Sequence, residues 1–132
     1  MSVYSAQTGG AMHKLIIMLE SSENPDFDEQ WPRFLSLAEN MPGLQREVTS
    51  RVERVIFGVS TTTMIHELYF ESLEALQEGM ASPQGREAGA VLQSMTQGRM
   101  TLLFADHRED NIENIRKYQQ VKEDKHAEAD AG

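Results

Sequence analysis

The segment MHKLIIMLE at residues 12–20 is the feature of the sequence that most restricts its fold. In an extended strand successive side chains point to opposite faces, and here both faces are apolar through the middle of the segment. One face carries Leu15, Ile17 and Leu19, and the other carries Ile16 and Met18. Because both apolar sets must be shielded from water, the segment predicts a strand that is covered on both sides.

A helix is predicted after this strand, because apolar residues recur at steps of four, three, four and three. These residues are Phe27, Trp31, Phe34, Ala38 and Met41. Pro32 lies within the same stretch, where it removes a backbone hydrogen bond, so we expect a kink or a separate first turn there. The Pro42-Gly43 pair ends the helix.

Three further strands and two further helices are predicted. Residues 44–58 alternate β-branched and charged side chains, which is typical of a long strand near a sheet edge. Residues 64–71 and 99–106 predict the other two strands. Ser72 suits the N-cap of a short helix, and Ser82-Pro83 restarts a second one. The buried stripe of that second helix is predicted to contain Ala88, Val91, Leu92 and Met95.

The resulting order, β-α-β-β-α-β, is that of the ferredoxin-like α+β fold, a four-stranded antiparallel sheet with helices on one face. The helices leave the second face of the sheet bare, although residues 12–20 are apolar on both sides. A second copy packed sheet to sheet would cover it, so we expect a homodimer that closes into a dimeric α+β barrel. Residues 1–11 are predicted to be a flexible leader, 12–107 the domain, and 108–132 a charged arm or disordered tail.

Charge and composition exclude several classes of function. The net charge is −9 without any basic cluster, so neither nucleic acid nor an anionic membrane surface is an expected partner. The chain has no cysteine, which removes disulfides, thiolate nucleophiles, iron–sulfur clusters and cysteine-based zinc sites. No signal peptide or stretch of membrane-spanning length is present in the sequence, so a cytoplasmic location is predicted.

Several segments resemble the EthD-like family of dimeric α+β barrel proteins, over about residues 12–106. The segments are PDFDEQWPRFLSLAENMPGL at 25–44, HELYFESLEAL at 66–76, ASPQGR at 81–86, and the following strand GRMTLLFAD. The resemblance implies a role accessory to an oxidative or degradative pathway. Similar barrels serve as cofactor-free monooxygenases, isomerases, cyclases and haem-handling proteins.

The sequence departs from this family at one position. Family members often carry a histidine seven residues after the phenylalanine that aligns with Phe27, and eight residues before the proline that aligns with Pro42. Phe34 occupies that position here. If the histidine is a base or a ligand in relatives, this chain has lost that role or has moved it.

Two histidines and one tyrosine are the candidate acid–base groups. His66 lies mid-strand on an apolar face, either as a hydrogen-bonded core residue or as the base of a pocket. No second titratable group is spaced in the sequence to orient it. His13 would neighbour His66 if the first and third strands pair, but a metal site would need a third ligand. Tyr69 shares the opposite face with Glu67, where interface hydrogen bonding and proton transfer are the alternatives.

An apolar pocket is predicted under the first helix, lined by Trp31 and Phe34 with His66 or Tyr69 as its polar group. Methionines adapt to ring-shaped ligands, so Met18, Met64 and Met95 are further candidates, although such a stripe is also typical of a plain core. The first hypothesis is that the protein binds a small apolar or aromatic metabolite. The alternatives are a cofactor-independent monooxygenase or isomerase using His66 or Tyr69, and a structural or regulatory homodimer with a filled core. No metal, haem, flavin or other cofactor is predicted.

Overall fold

Four strands form one antiparallel sheet in the computed structural model, which describes residues 11–110. The strands are β1 (Ala11–Glu20), β2 (Leu44–Arg51), β3 (Thr62–Phe70) and β4 (Met100–Arg108). Their order in the sheet is β2-β3-β1-β4, so β1 and β3 are central and β2 and β4 are the edges. This arrangement confirms the predicted ferredoxin-like fold. The predicted leader and tail fall, for most of their length, outside the described residues.

Within residues 11–110 the chain also forms three helices: α1 (Phe27–Glu39), α2 (Leu73–Ala81) and α3 (Pro83–Thr96). The two predicted serine caps are present. The Ser72 hydroxyl accepts a hydrogen bond from the Ala75 amide, and the Ser82 hydroxyl accepts one from the Gly85 amide. Each cap satisfies a backbone donor that the first helical turn leaves without a partner, which fixes where α2 and α3 begin.

One face of the sheet packs on the helices and forms the core. The register pairs Leu15 with Leu68 and Ile17 with His66, so these side chains share that face. The helices contribute Phe34, Ala38, Leu76, Ala88, Val91, Leu92 and Met95 to the same buried cluster, and Met41 joins it just after α1. The predicted helical stripes are therefore confirmed as core. Lys14, Ile16 and Met18 alternate onto the other face of β1, where they are half-buried.

The strand predicted over 44–58 is wrong in its second half. Strand β2 ends at Arg51. The last hydrogen bond to β3 is donated by the Val52 amide to the Thr63 carbonyl, and beyond it the chain leaves the sheet. Gly58 has a φ of +87°, in the left-handed region that interrupts a strand. The alternation continues into this loop, but its side chains contact little, and Ile56 and Phe57 are 91% and 97% exposed.

The separate first turn, one of the two alternatives expected at Pro32, is also absent. Helix α1 is one continuous helix with Pro32 as an internal residue. The proline ring lies on the exposed side of α1, where the carbonyl left without an amide partner can be solvated. Trp31 and Phe34 consequently lie on one uninterrupted helical face above the sheet. Within residues 11–110, no helix is both long and apolar enough to cross a bilayer.

Candidate functional site

His66 is a fully buried polar side chain at the interface of the sheet and α1. It is 0% exposed and lies in the middle of β3. Its ring packs edge-on against Trp31 at 5.3 Å and against Phe34 at 5.8 Å between ring centroids. Both aromatic residues come from α1, so the helix forms an apolar cover over one side of the imidazole.

Both ring nitrogens of His66 have partners on the neighbouring edge strand. The Thr49 hydroxyl lies 2.8 Å from Nδ1, and a Glu47 carboxylate oxygen lies 3.1 Å from Nε2. Strand alternation explains the pair, because Thr49 is directly opposite His66 and Glu47 is two residues away on the same face of β2. The expectation that no titratable group orients His66 is therefore wrong.

The local environment sets the charge of His66. Burial lowers the pKa of the imidazole below its ordinary value, because a charged ring loses its hydration. The hydrogen bond and charge of Glu47, and the charge of Glu67, act in the opposite direction but do not outweigh burial. The result favours a neutral ring near pH 7. An ionised carboxylate only accepts hydrogen bonds, so Nε2 carries the proton and Nδ1 accepts from Thr49.

An aromatic row runs along α1 from the edge of the core to its centre. Phe27 stacks on Trp31 with 5.9 Å between centroids, and Trp31 stacks on Phe34 with 5.3 Å. Phe34, which the resemblance aligns with the family histidine, is only 2% exposed. The end of the row at Phe27 is half-buried and reaches an opening at the surface.

Two cavities lie beside this row. An open cleft of about 340 Å³ is found where β1 ends and β3 begins. It is lined by Leu19, Glu20, Ser21, Ser22, Phe27, Arg51, Val52, Thr63 and Met64. A second cavity of about 50 Å³ lies deeper, between the sheet and α3, and has an almost wholly apolar wall that includes Phe34. Neither of these two cavities is lined by His66 or Trp31, so the pocket predicted under α1 with a histidine in its wall stays a prediction.

Tyr69 and Met18 lie on the opposite face of the sheet from Trp31 and Phe34. Both are one residue out of phase with the core-facing positions of their strands. They therefore do not face α1, whereas His66 does and packs against Trp31 and Phe34. Met64 does share the core face and lines the open cleft.

Tyr69 belongs instead to a charged cluster on that opposite face. Lys14 forms an ion pair with Glu67, and the Tyr69 hydroxyl donates to the same carboxylate at 3.4 Å. The Lys14 ammonium and the Arg46 guanidinium lie 5.2 and 5.0 Å from the centre of the Tyr69 ring. Burial lowers the pKa of Lys14, but the hydrogen bond and charge of Glu67, with a contribution from Tyr69, raise it above its ordinary value.

His13 is not a neighbour of His66. Strands β1 and β3 do pair, but the register places His13 opposite Phe70 and Ile17 opposite His66. The position on β1 that faces His66 is Ile17, which is four residues from His13. The two histidines are therefore too far apart along the sheet to bind one metal ion. In the described part of the chain, no group of three or more histidine, aspartate or glutamate side chains is arranged to hold one.

The sequence matches no known family model. An uncharacterised 11.0 kDa protein from the thcB–thcC intergenic region of Rhodococcus erythropolis is 26% identical over 97 residues, which cover 72% of this chain and 94% of that protein. An EthD family protein of Bacillus halodurans, solved as a crystal structure, is also 26% identical. Its superposition covers 73% of this chain and 98% of that chain, with a TM-score of 0.66.

Two more distant crystal structures share the fold. A dimeric ferredoxin-like protein of unknown function from Jannaschia is 14% identical, with a TM-score of 0.57 over 73% of this chain and 98% of that chain. The cofactor-independent oxygenase SnoaB of Streptomyces nogalater is 11% identical, with a TM-score of 0.54 over 76% and 94%. The chain is thus a ferredoxin-like α+β protein. Its resemblance to the EthD-like family is confirmed by the Bacillus structure.

Glu47 and Thr49 are the site residues that sequence reasoning missed. The sequence feature that could have revealed them is the hairpin between β2 and β3. A hairpin centred on Phe57 and Gly58 places Thr49 opposite His66, as the structure has it. The long strand predicted over 44–58 left no room for this turn, and therefore hid the register that brings the three side chains together.

Proposed function

We propose that the protein binds a small apolar or aromatic molecule in the open cleft between the N-terminal end of α1 and the sheet. The cleft carries the argument, because its volume of about 340 Å³ is at the lower end of the range of small-molecule sites. Leu19, Phe27 and Met64 form an apolar wall that suits a ring. Arg51 adds a cation that suits a carboxylate or another anionic group on the same ligand.

The pathway role follows from the EthD-like resemblance. We infer an accessory function in an oxidative or degradative pathway, with no bound cofactor. The ligand would lie against Phe27, the first ring of the aromatic row, so its binding would be sensed by Trp31. Trp31 is the single tryptophan of the chain, which makes its emission a specific reporter.

We propose further that the working form is a cytoplasmic homodimer joined through the open sheet faces. Ile16, Met18 and Ile65 lie on that face and are half-buried apolar side chains. The Jannaschia protein with this fold is a dimer. A second copy would cover the apolar positions and enclose the Lys14–Glu67 pair, which would strengthen the pair by excluding water.

Two alternatives have specific observations in their favour. The buried contacts of Phe34 and His66 close the core beneath α1, and this favours a structural homodimer with a filled core. The hydrogen bonds from His66 to Thr49 and Glu47 favour an acid–base enzyme, a monooxygenase or an isomerase that needs no cofactor. Turnover distinguishes the enzyme from a binding protein, and an occupied cleft distinguishes both from the filled core.

Binding is tested by titrating phenylacetate and following Trp31 emission, with calorimetry as a second measurement. The Phe27→Ala variant should weaken binding at least about tenfold, because it removes the ring that walls the cleft. Phe104→Ala is the matched control, since Phe104 is an exposed phenylalanine on β4 that lines neither cavity.

The substitutions Phe34→His and His66→Ala test the role of the buried residues beneath α1. Phe34→His restores the family residue opposite His66 and should leave binding in the cleft intact. His66→Ala should lower thermal stability more than affinity. The binding proposal fails if phenylacetate neither quenches Trp31 emission nor releases heat, and if Phe27→Ala alters neither signal. The structural homodimer with a filled core is then the favoured alternative.

A further inference from the structure

Three side chains form a continuous chain of hydrogen bonds from the protein surface into its core. Thr49 is exposed at the edge strand, His66 is fully buried, and Glu47 is half-buried on the far side of the ring. The contacts are 2.8 Å from Thr49 Oγ1 to Nδ1 and 3.1 Å from Nε2 to Glu47. A hydroxyl, an imidazole and a carboxylate in this order form an arrangement in which the carboxylate orients a base and the base activates the hydroxyl.

The direction of the hydrogen bonds follows from the carboxylate. Glu47 accepts from Nε2–H, so Nδ1 holds a lone pair and the Thr49 hydroxyl points its proton at that lone pair. A proton that reaches Thr49 from outside can therefore be exchanged for the hydroxyl proton, which moves to Nδ1. The imidazolium so formed is hydrogen-bonded at both nitrogens and lies beside the Glu47 charge.

Burial decides which atom can meet a substrate. His66 has no exposed surface, because Trp31 and Phe34 cover it from α1 and Ile17 lies opposite it on β1. Any acid–base chemistry that uses this imidazole must pass through an atom that is both exposed and bonded to it. Thr49 is the more exposed of the two residues bonded to the ring, because Glu47 is half-buried.

Thr49 does not itself line the proposed ligand cleft, but a residue close to it on β2 does. Arg51 lines the cleft and is two residues beyond Thr49 on the same face of β2, about 7 Å along the strand. A ligand whose carboxylate binds Arg51 would have to extend about 7 Å along β2, past the lining of the cleft, to bring a C–H bond to Thr49. The neighbouring carboxylate of the cleft, Glu20, accepts a hydrogen bond from Thr61 at 2.8 Å and lies 3.9 Å from Arg99.

We propose that Thr49 is the catalytic hydroxyl of a proton relay that interconverts the keto and enol forms of small carbonyl acids. The proposal rests on the proposed function, because it needs the ligand in the cleft. An acidic C–H bond next to the carbonyl gives its proton to Thr49 Oγ1 while the Thr49 proton passes to His66 Nδ1. The electron pair of the broken C–H bond is left on the substrate as an enolate, and the return of a proton at carbon or oxygen completes the exchange. Glu47 is a positioning residue.

The test uses phenylpyruvate, which joins an aromatic ring, a carboxylate and an acidic C–H bond. Its C3 protons are exchanged for deuterium in D2O, and the exchange is followed by proton NMR at constant buffer concentration. The wild-type protein should accelerate the exchange over buffer alone. Thr49→Val keeps the shape of the side chain but has no hydroxyl, and it should slow the accelerated rate by about 10²- to 10⁴-fold.

Two further variants and a control separate a relay from a merely structural role. Thr49→Ser retains a hydroxyl and should retain most of the acceleration. Glu47→Gln should move the acid limb of the pH–rate profile to lower pH, because the Glu47 charge is one of the influences that raise the pKa of His66. Thr101→Val, at an exposed threonine of the other edge strand, should exchange phenylpyruvate at the wild-type rate.

The outcomes distinguish this proposal from the binding function. If calorimetry shows phenylpyruvate binding but the wild-type protein does not accelerate exchange, the relay is refuted and binding stands. If phenylpyruvate does not bind, both the binding function and the proton relay are refuted for aromatic acids. A Thr49→Val variant that exchanges as fast as the wild type also refutes the relay. So does a nitrogen NMR spectrum of His66 that shows the proton on Nδ1 in the neutral ring.

Discussion

Gly85, in the first turn of α3, lies against the carbonyl oxygen of Gly79 near the end of α2. A β-carbon added at Gly85 would collide with that oxygen and would lie 2.6 Å from the carbonyl oxygen of Met80. Both neighbours are backbone atoms, which cannot move without shifting a helix. The glycine thus allows the tight turn at Ser82-Pro83 that connects the two helices.

Gly85→Ala should therefore destabilise the fold by about 1–3 kcal/mol, as for other overpacked positions. Gly89→Ala is the matched control on the same helix. It has free space around the added β-carbon, and it should stabilise the protein by about 0.5–1 kcal/mol through the higher helix propensity of alanine. Urea unfolding of both variants measures the difference. Equal and small effects would show that α2 and α3 are not held as closely as described.

The free energy of unfolding should fall on mild acidification because of His66. Burial, opposed by Glu47, leaves the pKa of His66 lower in the folded protein than in the unfolded chain. The unfolded chain therefore takes up a proton first as the pH falls. This contribution to stability is complete above about pH 6.5 and decreases as the pH falls toward the folded pKa, with a slope of at most about 1.4 kcal/mol per pH unit.

Urea unfolding between pH 7.5 and 5.5, approximately the range in which carboxylates stay ionised, measures this slope. His66→Gln keeps hydrogen-bonding groups near Thr49 and Glu47 but does not titrate, so its stability should be nearly flat over the same range. A wild-type protein that is equally stable at both ends would contradict the burial of a neutral imidazole.

The homodimer should depend on the open face of the sheet rather than on the apolar loop. Ile16→Asp places a charge among the half-buried apolar side chains of that face, and it should weaken association at least about 100-fold. Ile56→Asp is the control, because it makes the same substitution in the exposed loop after β2. Sedimentation equilibrium measures both. A stable wild-type monomer at micromolar concentration, or dissociation by Ile56→Asp alone, would refute a dimer joined through the sheet.

The purified protein should carry no stoichiometric metal, haem or flavin. The chain has no cysteine, and His13 and His66 are held apart by the register of β1 and β3. Elemental analysis should find less than one metal ion per chain, and the absorption spectrum should show no band above about 350 nm, where haem and flavin absorb. Either signal would require a ligand set other than the side chains described here.

The sequence predicted the fold well where the signals are local. Periodicity identified the stripe of α1, and the two Ser caps marked the starts of α2 and α3 because each rests on a few neighbouring residues. Residues 44–58 misled the prediction because the alternation of β-branched residues continues into the loop at Ile56. Alternation reports the local preference of the residues for an extended backbone. A strand also requires a neighbouring strand to pair with, and the sequence of the segment does not show where that pairing ends.

The candidate site was harder to predict for the same reason. His66, Trp31 and Phe34 were singled out together because each lies on an apolar stripe, and the structure brings their rings into contact. Tyr69 and Met18 were assigned to the same pocket because sequence alone does not say which face of a strand meets the helices. Thr49 and Glu47 depend on the register between two strands, and a shift of one residue would have turned both to the other face.

The buried imidazole also links the evolution of three positions. Substituting His66 by an apolar residue leaves Thr49 and Glu47 without their partner, and substituting Glu47 leaves a buried ring nitrogen unsatisfied. The cost falls on changes that leave the buried ring without a partner, because exposed Thr49 and half-buried Glu47 can hydrogen-bond to water instead. Descendants of this chain that keep a buried His66 should therefore also keep a hydrogen-bonding residue at position 47.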